Sequence, residues 1–197
     1  MLYIFGDSHA SRPFMSLKIP HKKLEQSGIT MFRTGRDKQI INYNKIFDLK
    51  ENTIAICYGE IDCRCHIGKQ ILFGRNEDEI IQELVESYID TILKNINNSK
   101  IIIIAVIPPT SQNEYERKNG PIRDEFPFVN SDEDRVRYTQ KVNEKLKEYS
   151  DKYNFVFFDP YEYYKNSNGT LKYELSDGSV HIKDVDYFLE QFIQIVN

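Results

Sequence analysis

A serine near the start of the chain and a histidine near its end are the residue types that could perform nucleophilic chemistry together. Ser8 stands in Phe5-Gly6-Asp7-Ser8-His9-Ala10, directly behind a short apolar run, Leu2 to Phe5, that reads as a buried strand. A hydroxyl placed there emerges at the carboxyl edge of a sheet, with Gly6 permitting the sharp turn. Serine is a weak nucleophile until a base removes its proton, so this reading requires a histidine elsewhere. His181 meets the requirement in Ser176-Asp177-Gly178-Ser179-Val180-His181-Ile182, where Asp177 offers a carboxylate to fix the imidazole tautomer and stabilise the imidazolium formed on attack. Gly-Asp-Ser alone is a common turn, and a lone histidine ahead of a helix is commonly a solvated or capping residue. The conjunction of the two is what points to catalysis.

Positioning two such distant groups needs a particular scaffold. Apolar runs rich in Ile, Val or Phe recur at Leu2 to Phe5, Ile29 to Phe32, Thr53 to Tyr58, Ile101 to Ile107 and Phe155 to Phe158, without the alternation of a half-exposed sheet. Between them, Glu77 to Asn97 carries apolar residues at three- and four-residue spacing, Ser131 opens a second helix through about Tyr149 behind an acidic cap, and Lys183 to Val196 closes the chain with a third. Segments 9–28 and 36–50 are less legible. Five strands alternating with helices predict a single domain over 1–197, a three-layer α/β/α sandwich with a flavodoxin-like five-stranded parallel sheet. Ligands of such sheets sit beyond the carboxyl strand ends, where Gly or Asp residues gather in this sequence. The connection Pro108 to Asn130, with four prolines, reads either as a lid over the site or as a solvated surface excursion.

Composition narrows the classes further. The chain has 197 residues, 28% of them charged and 13% aromatic, with a formal net charge of -4 spread over interspersed charges of both signs. That balance offers no basic stripe for nucleic acid. No apolar run approaches the roughly 18 residues needed to cross a bilayer, and the amino-terminal MLYIFGDSHA lacks the pattern of a secretory signal. A cytoplasmic location without membrane association is therefore expected, unless the chain is a piece of a larger protein. The three cysteines, Cys57, Cys63 and Cys65, are odd in number and bunched, which predicts free thiols. Cys63-x-Cys65-His66 has no second Cys/His pair to complete a zinc site, so no metal is expected.

Taken together, Gly6-Asp7-Ser8 after the first strand, Gly35 after the second, Gly59-Glu60-Ile61-Asp62 after the third, and Asp177/His181 before the last helix resemble the four sequence blocks of the SGNH/GDSL hydrolase superfamily, in family order. The resemblance implies an acyl-serine intermediate and an oxyanion hole built from the Ser8 and Gly35 backbone N–H groups with one further donor. Two departures stand out. The family's third block has an oxyanion-donating Asn where this chain has Ile61, and a lost donor costs roughly 3 kcal/mol. Arg64 and His66 are the nearest candidates to replace it, and a surface-helix role for both is equally open. In the last block the family's acid stands one residue nearer the histidine, so the loop must bulge, or Asp184 or Asp159 must serve instead of Asp177.

Gly-Asp-Ser-His-Ala and Gly-Glu-Ile-Asp-Cys-Arg also resemble SGNH domains tied to sugar O-acetylation and glycan building. This resemblance implies an acetyltransferase that moves an acetyl group from acetyl-CoA, as donor substrate rather than bound cofactor, to a sugar or nucleotide-sugar. The chain would then act alone or as one domain of a larger glycan-modifying protein. Substrate contacts are expected from Asp7, Gly59 and Asp62 beside the groups already named, with Arg117, Lys118 and Arg123 available to donor phosphates. The alternatives are a carbohydrate or small-molecule esterase, and a non-catalytic glycan-binding module of the same fold.

Overall fold

A computed structural model of the chain describes residues 1–40, 42–43, 52–97, 99–122, 126–183 and 185–196. Five strands, β1 (Leu2–Gly6), β2 (His21–Glu25), β3 (Thr53–Cys57), β4 (Lys100–Ile104) and β5 (Val156–Phe158), form one sheet in the order β2-β1-β3-β4-β5. Every neighbouring pair is parallel. The helices are α1 (Met31–Asp37), α2 (Ile67–Leu72), α3 (Glu77–Asn95), α4 (Gln112–Asn119), α5 (Asp132–Tyr153), α6 (Tyr161–Tyr164) and α7 (Asp186–Val196). This is the three-layer, flavodoxin-like α/β/α arrangement, and its strand order reverses between β1 and β3, where such sheets open a crevice for ligands. No described helix is long and apolar enough to cross a membrane.

Alternate residues of the inner strands feed two cores. Tyr3, Phe5, Ile54, Ile56, Ile101 and Ile103 pack on Val85, Tyr88 and Ile92 of α3 and on Tyr138, Val142 and Leu146 of α5. Leu2, Ile4, Ala55, Ile102 and Ile104 face the other way, onto Phe14 and onto Phe188, Leu189 and Phe192 of α7. Ile4, Ile54, Ile56, Ile102 and Ile103 are fully shielded, each contributing roughly 1.5–3 kcal/mol, so the strand ends that carry the site rest on a stiff platform. The long helices start where the sequence places caps. Asn76 accepts from the N–H groups of Asp78 and Glu79 ahead of α3, and Ser131 and Asp134 form a reciprocal capping box at α5.

The second strand is a correction. Ile29–Phe32 is not a strand: Thr30 caps α1, accepting from Arg33 N–H at 2.9 Å, and Met31 opens the helix. The edge position belongs instead to His-Lys-Lys-Leu-Glu, whose side chains are mostly exposed. An edge strand buries little, and charges on it discourage pairing with other chains, so it lacks the apolar run that marks its inner neighbours. The fourth strand also ends earlier, at Ile104, because the chain leaves the sheet there. Buried Asn143 accepts from Val106 N–H and donates to its carbonyl, both at 2.8 Å, which replaces the missing ladder.

Segment 108–130 is not a free excursion over its described part. It contains α4, and it braces the loop that follows α6: Thr110 Oγ1 donates to Ser179 O at 3.0 Å, Lys118 Nζ to Asp177 O at 3.0 Å, and Asn119 Nδ2 to Gly178 O at 2.7 Å. Arg123, Asp124 and Glu125 lie outside the described residues.

Candidate active site

The chain turns sharply at the end of β1. A side chain on Gly6 would collide with the Cys57 carbonyl of β3 and stand 2.6 Å from Ala10 Cβ, so only glycine lets the following 3-10 turn, Ser8–Ala10, fold back onto the sheet end. Asp7 caps this turn, its Oδ1 accepting from His9 N–H at 2.9 Å. Ser8 becomes the first residue of the turn at the carboxyl end of β1, beside the end of β3.

The histidine arrives on a closed loop. Ser176 and Ile182 pair across its base, and Asp177 N–H donates to His181 O at 3.0 Å. Gly178, at a φ of +78°, takes the left-handed conformation that absorbs the extra residue between acid and histidine. Ser176 Oγ accepts from Gly178 N–H at 3.0 Å, and Asp177 Oδ1 accepts from Ser179 N–H at 2.8 Å. The result brings His181 Nε2 to 2.8 Å from Ser8 Oγ and His181 Nδ1 to 3.3 Å from Asp177 Oδ2. Arg12 Nη1 reaches the same Asp177 oxygen at 3.1 Å. Asp159, the other expected candidate for the acid, accepts from Tyr161 N–H at 2.9 Å at the start of α6, and Asp184 lies outside the described residues.

This geometry keeps His181 a free base. Burial pushes its basicity down to about 4, and Asp177 and Glu60 only partly oppose it. Hence the imidazole is neutral, and able to accept a proton, across the ordinary pH range.

The remaining expected residues scatter. Gly35 lies within α1, where a Cβ would press on Ser87 of α3 at 2.9 Å from its Cβ, so it is a close-packing glycine and not a residue of the loop after the second strand. Its misplacement follows from that of the strand: the glycine that does follow β2 is Gly28, at a φ of +75°. Gly59, at a φ of +123°, turns the chain out of β3 beneath Val106 and Met31. Asp62 is fully buried and accepts from the N–H groups of Met31 and Phe32 at 2.7 and 3.1 Å, which ties the third block to the first turn of α1.

Arg64 is not a spare donor. It is buried, paired with Glu60 at 2.7 Å, and donates to the Phe126 carbonyl, so it fastens the end of segment 108–130 to the π-helical turn Asp62–His66. His66 is partly exposed, 3.5 Å from Asp62 and edge-on to Phe32. It lines a groove of about 790 Å³ together with Phe32, Arg36, Asp62 and Phe73, whose walls do not include Ser8 or His181. Cys57, Cys63 and Cys65 are buried. Among the described residues no group of three or more His, Cys, Asp or Glu side chains gathers to hold a metal ion.

The residue missed by the sequence reading is His9. Its Nδ1 lies 3.1 Å from Asp7 Oδ1, its Nε2 lies 2.9 Å from Val180 O, and its ring centroid stands 4.6 Å from that of His181. Adjacency to Ser8 is the one signal the sequence carries for it.

No protein-family model and no curated protein matches the sequence. Solved structures do match its fold. A protein from Streptococcus pneumonia assigned as a platelet activating factor superposes with a TM-score of 0.65 at 15% identity, covering 100% of this chain and 83% of its own. A GDSL-like lipase from Bacteroides thetaiotaomicron gives 0.59 at 15% identity, covering 99% and 86%. Est24, a carbohydrate acetylesterase from Sinorhizobium meliloti, gives 0.55 at 12% identity, covering 98% of each chain. The chain has the SGNH/GDSL hydrolase fold.

Proposed function

We propose that this chain is a serine ester hydrolase that cleaves small O-acyl groups, with acetyl esters of carbohydrates as its substrate class. The observation that carries the proposal is the 2.8 Å approach of His181 Nε2 to Ser8 Oγ. As Ser8 Oγ attacks the ester carbonyl carbon, Nε2 takes the hydroxyl proton and the C=O pair moves onto oxygen. Collapse of the tetrahedral intermediate breaks the bond to the leaving alkoxide, which receives that proton from the imidazolium. Water, deprotonated by the same nitrogen, then attacks the acyl-Ser8 carbonyl; the bond from the acyl carbon to Ser8 Oγ breaks, Oγ takes the proton back from the imidazolium, and the acid leaves. Asp177 holds the imidazole so that Nδ1 keeps its proton throughout. With an isoleucine at position 61, that position supplies no side-chain donor to the oxyanion.

The lipase and the carbohydrate acetylesterase among the structural relatives support hydrolysis over transfer from acetyl-CoA. So does the use made of the cations expected to meet donor phosphates. Lys118 is engaged by the Asp177 carbonyl, and the Arg117 guanidinium stands 5.7 Å from the centroid of Tyr173. The test is to supply p-nitrophenyl acetate and acetylated sugars in one series, and acetyl-CoA with unmodified sugars in another. Acetate release from the first series, lost in Ser8→Ala, is expected. Accumulation of acetylated sugar in the second would return the assignment to a transferase.

A further inference from the structure

The motif that carries the nucleophile holds a second acid–histidine pair that the mechanism above does not use. Asp7 and His9 are 1% and 5% exposed, and both ring nitrogens of His9 already have partners. One ring nitrogen faces a carboxylate oxygen at 3.1 Å and the other faces the Val180 carbonyl at 2.9 Å. Both partners are acceptors. A neutral imidazole has one N–H and could satisfy only one of them, leaving a buried nitrogen lone pair against an oxygen. An imidazolium satisfies both.

The charge balance of Asp7 points the same way. Among the described residues its buried Oδ2 has no hydrogen-bond partner, and its Oδ1 takes two contacts, both from His9. A carboxylate withdrawn from water this completely needs a counter-charge in contact with it, and His9 is the cation in place. The same ring grips the residue immediately before His181, and it packs 4.6 Å from the His181 ring at an interplanar angle of 36°. Val180 and His181 are consecutive, so holding one fixes the other.

We infer that His9, held as an imidazolium between Asp7 and the Val180 carbonyl, is a positioning residue that clamps the His181 loop against the Ser8 turn and adds like-charge repulsion to the burial that keeps His181 uncharged. This inference rests on Ser8 and His181 forming the reacting pair. The ionisable neighbours are Asp7 and Cys57 at the sheet edge, Glu60 at the head of the third block, Asp177 and His181 on the late loop, and Arg12 on the turn after Ser8. Burial opposes the charge on His9, but Asp7, through its charge and hydrogen bond, outweighs it with help from Glu60 and Val180, raising His9 to about 9. Cys57 remains a thiol, because burial and the Asp7 charge push its ionisation well above the ordinary range.

Two substitutions remove the charge by separate routes. His9→Gln takes away the cation, and Asp7→Asn takes away the anion that sustains it. The rate of Ser8 modification by a fluorophosphonate, followed against pH by intact mass, reads the protonation of His181 without needing a substrate. Both variants are expected to move the acidic midpoint of that profile upward, by about one pH unit or more. A merely structural role lowers the rate but leaves the midpoint where it is, and an unmoved midpoint in both variants overturns the inference. Nitrogen-15 histidine spectra of the unsubstituted protein give a reading that needs no variant to fold. His9 is expected to keep both ring protons through neutral pH while His181 keeps one. A singly protonated His9 at neutral pH contradicts the inference. Failure of the unsubstituted protein to label at Ser8 would sink the hydrolase reading instead, with the spectra still deciding the charge of His9.

Discussion

Two acid–histidine pairs, Asp7/His9 and Asp177/His181, lie with their rings 4.6 Å apart, and they end in opposite protonation states. Residue type does not separate them; the second nitrogen of each ring and the company of each carboxylate do. His9 Nε2 meets a carbonyl, which can only accept, so a proton stays on it. His181 Nε2 meets a hydroxyl, which can donate, so the nitrogen can remain a base. Asp7 is sealed in with His9 as its counter-charge, whereas Asp177 is partly exposed and shared with Arg12, Ser179 N–H and His181. A carboxylate divided in that way raises the basicity of its histidine less, and the neighbouring imidazolium lowers it further. One pair is thereby a strut and the other a proton shuttle.

The first way to sharpen this contrast is alkaline pH. His9 has a folded-state basicity raised from 6.5 to about 9, so its contribution to stability is fully present below pH 6.5 and is lost as pH rises through about 9. The contribution is on the order of 3 kcal/mol. Urea unfolding of the unsubstituted protein and of His9→Gln, at pH 6 and again at pH 10, should show a large gap at the lower pH that nearly closes at the higher. A gap that does not change with pH would mean that His9 carries no stabilising charge.

A smaller effect is expected on the other side of the comparison. Asp177→Asn should lower kcat/KM for p-nitrophenyl acetate by about 100-fold, short of the ~10⁴-fold cost seen when a fully buried triad acid is changed, because Asp177 is partly solvated and already divided with Arg12. Steady-state rates at pH 7 check this. A loss below about threefold would identify a Ser8–His181 dyad that works without its acid.

The same contrast explains what the sequence could and could not tell. Inner strands were legible because both faces are covered, which leaves unmistakable runs such as Ile101 to Ile104. The edge strand His21–Glu25 was not, since burial selects little there, and the buried Ile29 and Met31 of the α1 start imitated a strand in its place. Gly35 was misplaced with it. Ser8 and His181 could be paired from their blocks because each lies at the end of an element whose direction the topology dictates. Arg64 read as an available donor because its partners, Glu60 and Phe126, include a carbonyl 62 positions away. His9 was silent for the same reason: its role depends on Val180, which only the folded loop delivers.

Covalent trapping tests the central pairing most directly. Mass spectrometry of the protein after brief reaction with a fluorophosphonate at pH 7 should find a single adduct on Ser8, absent in Ser8→Ala and slowed by at least about 100-fold in His181→Ala. An adduct that forms as fast without His181, or no adduct on Ser8 at all, would contradict the assignment of that imidazole as the base for that hydroxyl.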